Sequence, residues 1–540
     1  MNDYQSKKAL QHLIQVGMDL STEHDITRLL EYILLSAKSL SNADGGTIYT
    51  VTENNTLNFE VLLNDSLNLK LGGTSGVAIP FPEIPIYIND KPNENALVAY
   101  AVAHDTIINI EDAYDTGFDM SAARNMDKQN GYRTKSVLTI PMKNHEDEII
   151  GVLQLINAQD SDGIIYFNPE LEKIITSLAS MAAVALTNKQ LIDDMEKLFQ
   201  SITRLIANAI DEKSPYTGGH CNRVPELTMM MAEGVCNTKI GPMASFDMTD
   251  ADRYELSIAG WLHDCGKIAT PEYVMDKATK LETIFDRISL VDCRIELAKK
   301  TLTNQYQIKI IEQLKAGKDV NNTEKLLAAE LIALDQHRDF LRNTNIGGEF
   351  MSADDQQRVQ DIAVKYQVHI NGIKQNVLTE QEVYNLSIAK GTLTPEERVI
   401  INRHMSITID MLESLPFPKH LRRVSEFAGG HHEKMDGTGY PKKLKRDEMS
   451  VPARMMAIAD IFEALTASDR PYKKAKKLSE CLNIMGFMKK DDHIDPDLFD
   501  VFIDEKVYLK YAEIYLQPEQ IDTINLSKIP GYTIPTERYC

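Results

Sequence analysis

HHEKMDGTGYP, residues 431–441, sets two imidazoles side by side in a stretch that follows neither a strand nor a helix pattern. Apolar residues neither alternate here nor recur every three or four positions, and Gly437, Gly439 and Pro441 mark a loop. Core histidines usually come singly, and a surface loop has no need of a pair. A metal supplies a reason, because neutral imidazole is its commonest protein ligand. Two histidines do not make a site, so the rest of the chain has to provide the other ligands.

Metal-type residues recur on both sides of this loop. SPYTGGHCNRV (214–224) places His220 beside a glycine turn at a helix start. AGWLHDCGKIA (259–269) joins His263 to Asp264, and Lys267 follows at i+3 on a shared helix face, leaning over whatever Asp264 addresses. LTPEERVIINRHM (393–405) opens with a capping box, Thr394 to Glu397, and delivers His404. ARMMAIADIFEALTASDRPYKKA (453–475) sets Asp460 in an apolar helix, where an unpaired carboxylate is costly to bury. Arg470 and Lys473 follow in a basic run of an acidic chain, which suits phosphate-facing cations. Taken singly, His404 looks like an ordinary helix histidine and His263-Asp264 like an ordinary helix pair. Taken together, five histidines and two aspartates exceed the needs of one metal. Two metals bridged by an aspartate and a hydroxide use them all. Such donors suit iron or manganese, with zinc also compatible, and hydrolysis of phosphate esters is the matching chemistry. Cys265 fits a small packing residue. Arg223 fits either a partner of the ligands or a surface charge.

A chain of 540 residues is too long for one core, so two to four domains are expected. Apolar residues make up 43% and charged residues 25%, as in soluble globular proteins. Asp and Glu outnumber Lys and Arg by 79 to 58, a net charge of −21 that disfavours nucleic acid and anionic membranes as partners. No apolar run approaches the roughly 18 residues of a membrane span, and the first residues lack an apolar signal core. Six cysteines without a C-x-x-C pair argue against a disulfide framework or a cysteine zinc knuckle, so a reducing cytoplasm is expected.

The first third reads as mixed α/β. Helical spacing over 8–40 precedes strands at 45–51 and 56–63, and SVLTIPM (136–142) with IIGVLQLIN (149–157) reads as a buried strand pair around a polar turn. A helix starts after Asn168-Pro169 and runs towards residue 210. This pattern, over about residues 10–190, resembles a GAF sensor domain. Some GAF domains that bind cyclic nucleotides carry an Asn-Lys…Phe…Asp-Glu signature. This chain has Asn157, Ala158 in place of the lysine, Phe167 and Glu170, so the resemblance implies a dimerising, regulatory module whose small ligand is unidentified. From about 200 onward the pattern is nearly all helical. Within 281–390, apolar residues at 281, 284, 288, 291, 295, 298 and 302 trace a coiled-coil seam, followed by a polar turn and a second long helix. An inserted helical hairpin is expected there.

HDCGK, HHEKMDGTGYP and DRPYKKA, with His220, His404 and Asp460 in order around them, resemble the HD-GYP family of metal-dependent phosphodiesterases over about 200–280 and 391–515. The resemblance implies that His220, His263, Asp264, His404, His431, His432 and Asp460 ligate metal. It assigns Lys267 and Asp264 to catalysis, and Gly439, Tyr440, Arg470 and Lys473 to the substrate. It implies two divalent metals per chain, iron or manganese, with zinc, nickel and magnesium as alternatives. The substrate would be a cyclic dinucleotide, above all cyclic di-GMP, cleaved to pGpG with GMP as a further end product. The alternatives are a phosphodiesterase preferring cyclic GMP-AMP and a non-catalytic receptor or scaffold. The Gly-Tyr-Pro loop disfavours a mononucleotide phosphohydrolase. Some family members hold a third metal with a glutamate four residues before the first histidine. Tyr216 stands there in this chain, so two metals are expected unless an acid such as Glu212 compensates.

The expected architecture is therefore a multidomain α+β chain. A GAF-like α/β domain (1–190) leads through a linker helix (191–215) to an all-α HD-type domain (216–280 and 391–515). That domain carries the hairpin insertion (281–390) and is followed by a tail (516–540). A homodimer through the GAF domain and linker helices is the expected assembly.

Overall fold

Helix α1 (Asp3–Thr22) is followed by α2 (Ile26–Ser41), whose start is set by the Asp25 side chain accepting from the Arg28 amide. Leu29, Leu30, Ile33, Leu34 and Ala37 fall on one face of α2 and are buried. The computed structural model describes residues 3–23, 25–213, 219–348, 350–467 and 475–534, and it divides into two units, 1–199 and 200–540.

The first unit is built on an antiparallel sheet. Its strands are β1 (Ala43–Val51), β2 (Thr56–Asn64), β3 (Leu69–Gly72), β4 (Ile84–Pro85), then, beyond a separate ribbon of β5 (Tyr87–Ile88) and β6 (Lys91–Pro92), β7 (Ile108–Ile110), β8 (Val137–Lys143), β9 (Ile149–Asp160) and β10 (Gly163–Ile165). The main order is β3-β2-β1-β9-β8-β7, with the β1–β9 register running from Ala43 opposite Ala158 to Thr50 opposite Gly151. The polar turn KNHEDE does connect paired strands β8 and β9. Continuous burial along β1 follows from cover on both faces. On one side Ile48 and Leu153 pack with α1, α2 and the first turns of a long helix, α5 (Pro169–Lys213). On the other, Tyr49 and Val152 pack with Leu57, Ile86, Val98 and Ala99. Helices α3 (Leu97–Ala103) and α4 (Ser121–Asn130) lie in the excursion between β6 and β8. Helix α5 (Pro169–Lys213) starts with proline in its first turn and Asn168 Oδ1 accepting from the Leu171 amide. Asn157 holds the backbone of residues 133–135 and Phe167 lies in the core, so both have structural work in this fold.

The second unit is helical around the candidate ligands. Helices α6 (His220–Asn237), α7 (Asp250–Leu262) and α8 (Glu272–Met275) precede the segment 281–390. After it come α13 (Pro395–Glu413), α14 (Val424–Gly429), α15 (Val451–Thr466), α16 (Leu478–Lys490), α17 (Pro496–Asp504) and α18 (Val507–Tyr515). Between them α9 (Ile288–Lys315) and α10 (Asn321–Ile346) form the two long helices, and α11 (Ala353–Lys365) and α12 (Glu380–Leu386) add to them. Val291, Ile295, Leu334, Leu341, Val359 and Ile362 share a core within this segment.

The same segment also contains a β-hairpin, β11 (Gln367–Ile370) and β12 (Ile373–Asn376), which helical periodicity does not announce. Its signal is the Asn371-Gly372 turn, both residues having positive φ (56° and 77°), as a two-residue hairpin of primed type requires. Among the described residues, no helix is long and apolar enough to cross a membrane.

Candidate metal centre

Each ligand position is fixed by a local device. Helix α6 begins at His220, after Gly219 in the left-handed region. Helix α7 is started by the Thr249–Asp252 capping box and ends against His263. The following residues form a 3₁₀ turn (Cys265–Ala269) rather than a continued α-helix. Lys267 still reaches back, its Nζ 2.5 Å from Asp264 Oδ2. Gly266 permits this turn to lie directly on α13: a Cβ there would sit 2.0 Å from the His404 carbonyl oxygen. The Gly266 amide instead donates to Thr408 Oγ1 at 2.9 Å. Helix α13 carries the Thr394–Glu397 capping box and presents His404. Apolar α15 carries Asp460 inward among Met456, Ile458 and Phe462.

Two ligand sets share one residue. Asp264, His404, His431 and His432 can place one donor atom each within 4.8 Å of one another, and so can His220, His263 and Asp264. Asp460 joins through His220, with Oδ1 3.3 Å from Nε2.

The imidazoles are oriented from behind. Nδ1 of His263, His404 and His431 contacts the carbonyl oxygens of Gly260 (2.6 Å), Ile401 (2.5 Å) and Ala428 (2.7 Å), each three residues earlier. A carbonyl can only accept, so Nδ1 carries the proton and Nε2 a bare lone pair. Nε2 of His220 lies 3.2 Å from Asp264 Oδ2, that of His263 3.2 Å from the same atom, and that of His404 3.4 Å from Asp264 Oδ1. Yet the Nε2 atoms of His220, His263, His404 and His431 and Oδ1 of Asp264 are buried without a hydrogen-bond partner. Lone pairs facing carboxylate oxygens in a dry site repel unless a cation lies between them. The donor set therefore fits metal.

The titration shifts agree. Burial lowers His404 and His431, and brings His432 down to about 4, which keeps these imidazoles neutral. Burial alone would raise Asp264, but Lys267 and His263 hold it well below the usual carboxylate range. Burial likewise works against Asp460, and the attraction of the neighbouring His220 outweighs it, holding this carboxyl well below the usual range. Burial would lower His220, but Glu463, Asp264 and Asp460 lift it well above its ordinary value. This corner favours positive charge.

Three supporting groups go beyond the sequence reading. Glu463, one turn beyond Asp460, receives His220 Nδ1 and Arg223 Nε, the latter at 2.7 Å, so Arg223 is a partner of the ligand framework. Glu433, fully buried, accepts from the amides of Lys442 (2.7 Å), Lys443 (3.0 Å) and Leu444 (3.0 Å) and so folds the glycine loop back on itself. Gly439 then presses on the backbone of Glu433, where a Cβ would lie at 2.4 Å, and the Tyr440 ring stacks on His432 with centroids 4.9 Å apart. The third group is the end of α5. Asp211 accepts from the amides of Gly219 (3.1 Å) and Cys221 (3.3 Å), while Lys213 Nζ donates to the carbonyls of Ile268 (2.5 Å) and Thr270 (2.7 Å). The signal for Glu463 was its i+3 spacing from Asp460, matched by Arg223 at i+3 from His220.

Tyr216, Arg470 and Lys473 lie outside the described residues. Glu212 is exposed, and the buried acid beside it, Asp211, is engaged with backbone amides.

Residues 380–498 match the family model of an HD domain and residues 25–186 that of a GAF domain, so the chain joins the two. The HD match takes in His404, His431, His432 and Asp460, while His220, His263 and Asp264 lie before the matched residues. The chain is similar to the 3'3'-cGAMP-specific phosphodiesterase 1 of Vibrio cholerae, at 38% identity over 21% of this chain and 25% of that protein. A probable cyclic di-GMP phosphodiesterase of the same organism is 31% identical over 36% of this chain and 41% of its own. The 3'3'-cGAMP-specific phosphodiesterase 3, also from Vibrio cholerae, is 24% identical over 66% and 52%. The chain thus spans from a quarter to about half the length of these relatives.

Proposed function

We propose that this chain, a GAF domain joined to an HD domain of the HD-GYP kind, is a phosphodiesterase that hydrolyses a cyclic dinucleotide. Cyclic di-GMP is the leading substrate, opened to pGpG with GMP as a further product. The observation that carries the reading is the group of buried, unpartnered imidazole nitrogens converging on the shared Asp264. The relatives' names support the substrate class. Two divalent metals, iron or manganese in preference to zinc, nickel or magnesium, held at these seven residues would activate a water and neutralise charge during in-line displacement at phosphorus.

The chain's own groups do the rest. Asp264 belongs to both ligand sets and ties them together. Lys267 would face the scissile phosphate as a cation. Burial opposes its charge, but Asp264 keeps its pKa above the ordinary lysine value. Tyr440, whose burial pushes its phenol up, stays protonated against His432 and with Gly439 walls the substrate side. Arg470 and Lys473 are assigned to the substrate phosphates on sequence grounds.

Relatives specific for 3'3'-cGAMP favour a second reading, a preference for cyclic GMP-AMP with the same chemistry. All seven expected ligands are present, which sets hydrolysis ahead of a receptor that binds without cutting. The GAF domain would regulate and dimerise a cytoplasmic enzyme. Its cavity of about 500 Å³, lined by Tyr49, Phe59, Phe81, Met120, Tyr132 and Ile156 among others, suits a small ligand with an apolar ring. The anchoring of both ligand-bearing turns by Asp211 and Lys213 supports mechanical control through α5. The test is turnover of cyclic di-GMP and cyclic GMP-AMP by manganese- or iron-loaded protein. Linear product from either is expected, absent in Asp264→Ala. Tight binding of both without cleavage would replace the enzyme by the receptor.

A further inference from the structure

The single tryptophan of the chain, Trp261, stands near the end of α7 and lines an open groove of about 630 Å³ with Arg204 of α5 and Met229 and Met230 of α6. None of the seven candidate metal ligands lines it. At about 100° per residue, positions 226, 229, 230 and 233 fall on the side of α6 turned away from His220. The floor is apolar: Trp261, Met229 and Met230, all half-buried. Two guanidinium groups border it. Arg204 lies over the Trp261 ring, 5.5 Å from its centroid. Arg253, about two turns before Trp261 on α7, leans on the Cys236 thiol, a weak acceptor. Among the described residues neither arginine is ion-paired. Of the two carboxylates in the wall, Glu226 already accepts from the Tyr515 hydroxyl, which leaves Glu233. In a chain of net charge −21, two cations thus stand unneutralised around an indole.

We infer that this groove is a second ligand site, apart from the metal centre, that takes a mononucleotide, with the base laid on Trp261 and the phosphate drawn to Arg204 and Arg253. The chemistry of the walls selects that class. An aromatic face beside two thioethers suits a planar ring, and polarizable sulfur adapts to its outline. Free guanidinium groups match a phosphate, which they can hold through paired, charge-assisted hydrogen bonds. A ring without charge would leave the arginines unused, and an anion without a ring would leave the floor bare. The volume lies within the ordinary range for small-molecule sites. The site also lies against both helices that deliver the first ligands, since α6 opens with His220 and α7 ends against His263.

The test uses Trp261 as its own reporter, because no other tryptophan contributes to the emission. The full chain, stripped of metal, is titrated with GMP, with guanosine as the ring-only probe and inorganic phosphate as the anion-only probe. Saturable quenching by GMP is expected, at least about tenfold tighter than any quenching by either control. Arg204→Gln and Arg253→Gln should each weaken it by about tenfold or more, as loss of a hydrogen bond to a charged group does. Absence of saturable quenching by GMP, a control probe that matches it, or arginine variants within about twofold of wild type would each overturn the inference. Asp264→Ala locates the ligand. Unchanged quenching in that variant keeps the nucleotide in the groove, whereas its loss would move the nucleotide to the metal centre and remove the second site.

Discussion

Alanine at Gly266 inserts one methyl group where two backbone segments already touch. The new Cβ would lie 2.0 Å from the His404 carbonyl oxygen and 2.6 Å from the Thr408 amide nitrogen. Neither can swing aside as a side chain would, and α13 is pinned by its capping box. Overpacking costs about 1–3 kcal/mol, and backbone obstruction places this site at the upper end. Moving the turn also breaks the Gly266–Thr408 hydrogen bond, about 1 kcal/mol. A loss of about 3–4 kcal/mol at ~2–4 °C per kcal/mol lowers the melting midpoint by roughly 6–16 °C. The same displacement draws Asp264 away from His404, now 3.4 Å apart, so the set shared by Asp264, His404, His431 and His432 should lose metal. Calorimetry and metal analysis on one preparation read both effects. A midpoint within about 1 °C of wild type with undiminished metal would refute the close approach, and with it the account of how Asp264 reaches His404.

Glu463→Gln keeps the shape behind His220 but removes the charge, and metal affinity measured by chelator competition should fall about 10- to 100-fold; a change within about twofold would contradict this. Lys280 is buried with Leu386 O as its hydrogen-bond acceptor (3.0 Å) and the Met351 sulfur beside it (3.3 Å), and burial brings its pKa down to about 8 from 10.5. Between those values the unfolded chain binds more protons, so stability should rise with pH across about 8 to 10.5, by at most about 3 kcal/mol. Lys280→Met should remove that rise in urea unfolding, and a stability difference from wild type that does not vary with pH would count against it. Glu433→Ala leaves three loop amides without their acceptor, so it should lower turnover more than metal content; unchanged kinetics would show that the loop holds its shape without the clamp.

The candidate ligands were legible because residue type carries their chemistry. The double histidine and an aspartate in an apolar helix look wrong for ordinary packing, HDCGK gains its meaning only beside them, and the structure brings Asp264, His220, His263, His404, His431 and His432 together. The supporting groups were hidden because they depend on three-dimensional neighbours. Glu463 reads as one more helix carboxylate until His220, 243 positions away, is seen beside it. Gly266 reads as a turn glycine, whereas its role is to admit α13. The β-hairpin at Asn371-Gly372 did leave a local signal, overshadowed by the helical periodicity on either side. In the first unit the strand pair β8–β9 was plain from its continuous apolar runs. The short strands β4 to β7, two or three residues each, leave too few residues to show a period.

The Asp264-centred site is tested most directly by anomalous scattering at the manganese or iron edge, comparing metal-loaded wild type with Asp264→Ala. Two strong peaks are expected in wild type, one beside His220 and His263 and one beside His404, His431 and His432, and both should be lost in a variant that keeps the helical fold. Full occupancy in Asp264→Ala, or a wild-type map with no peak among these residues, would contradict it.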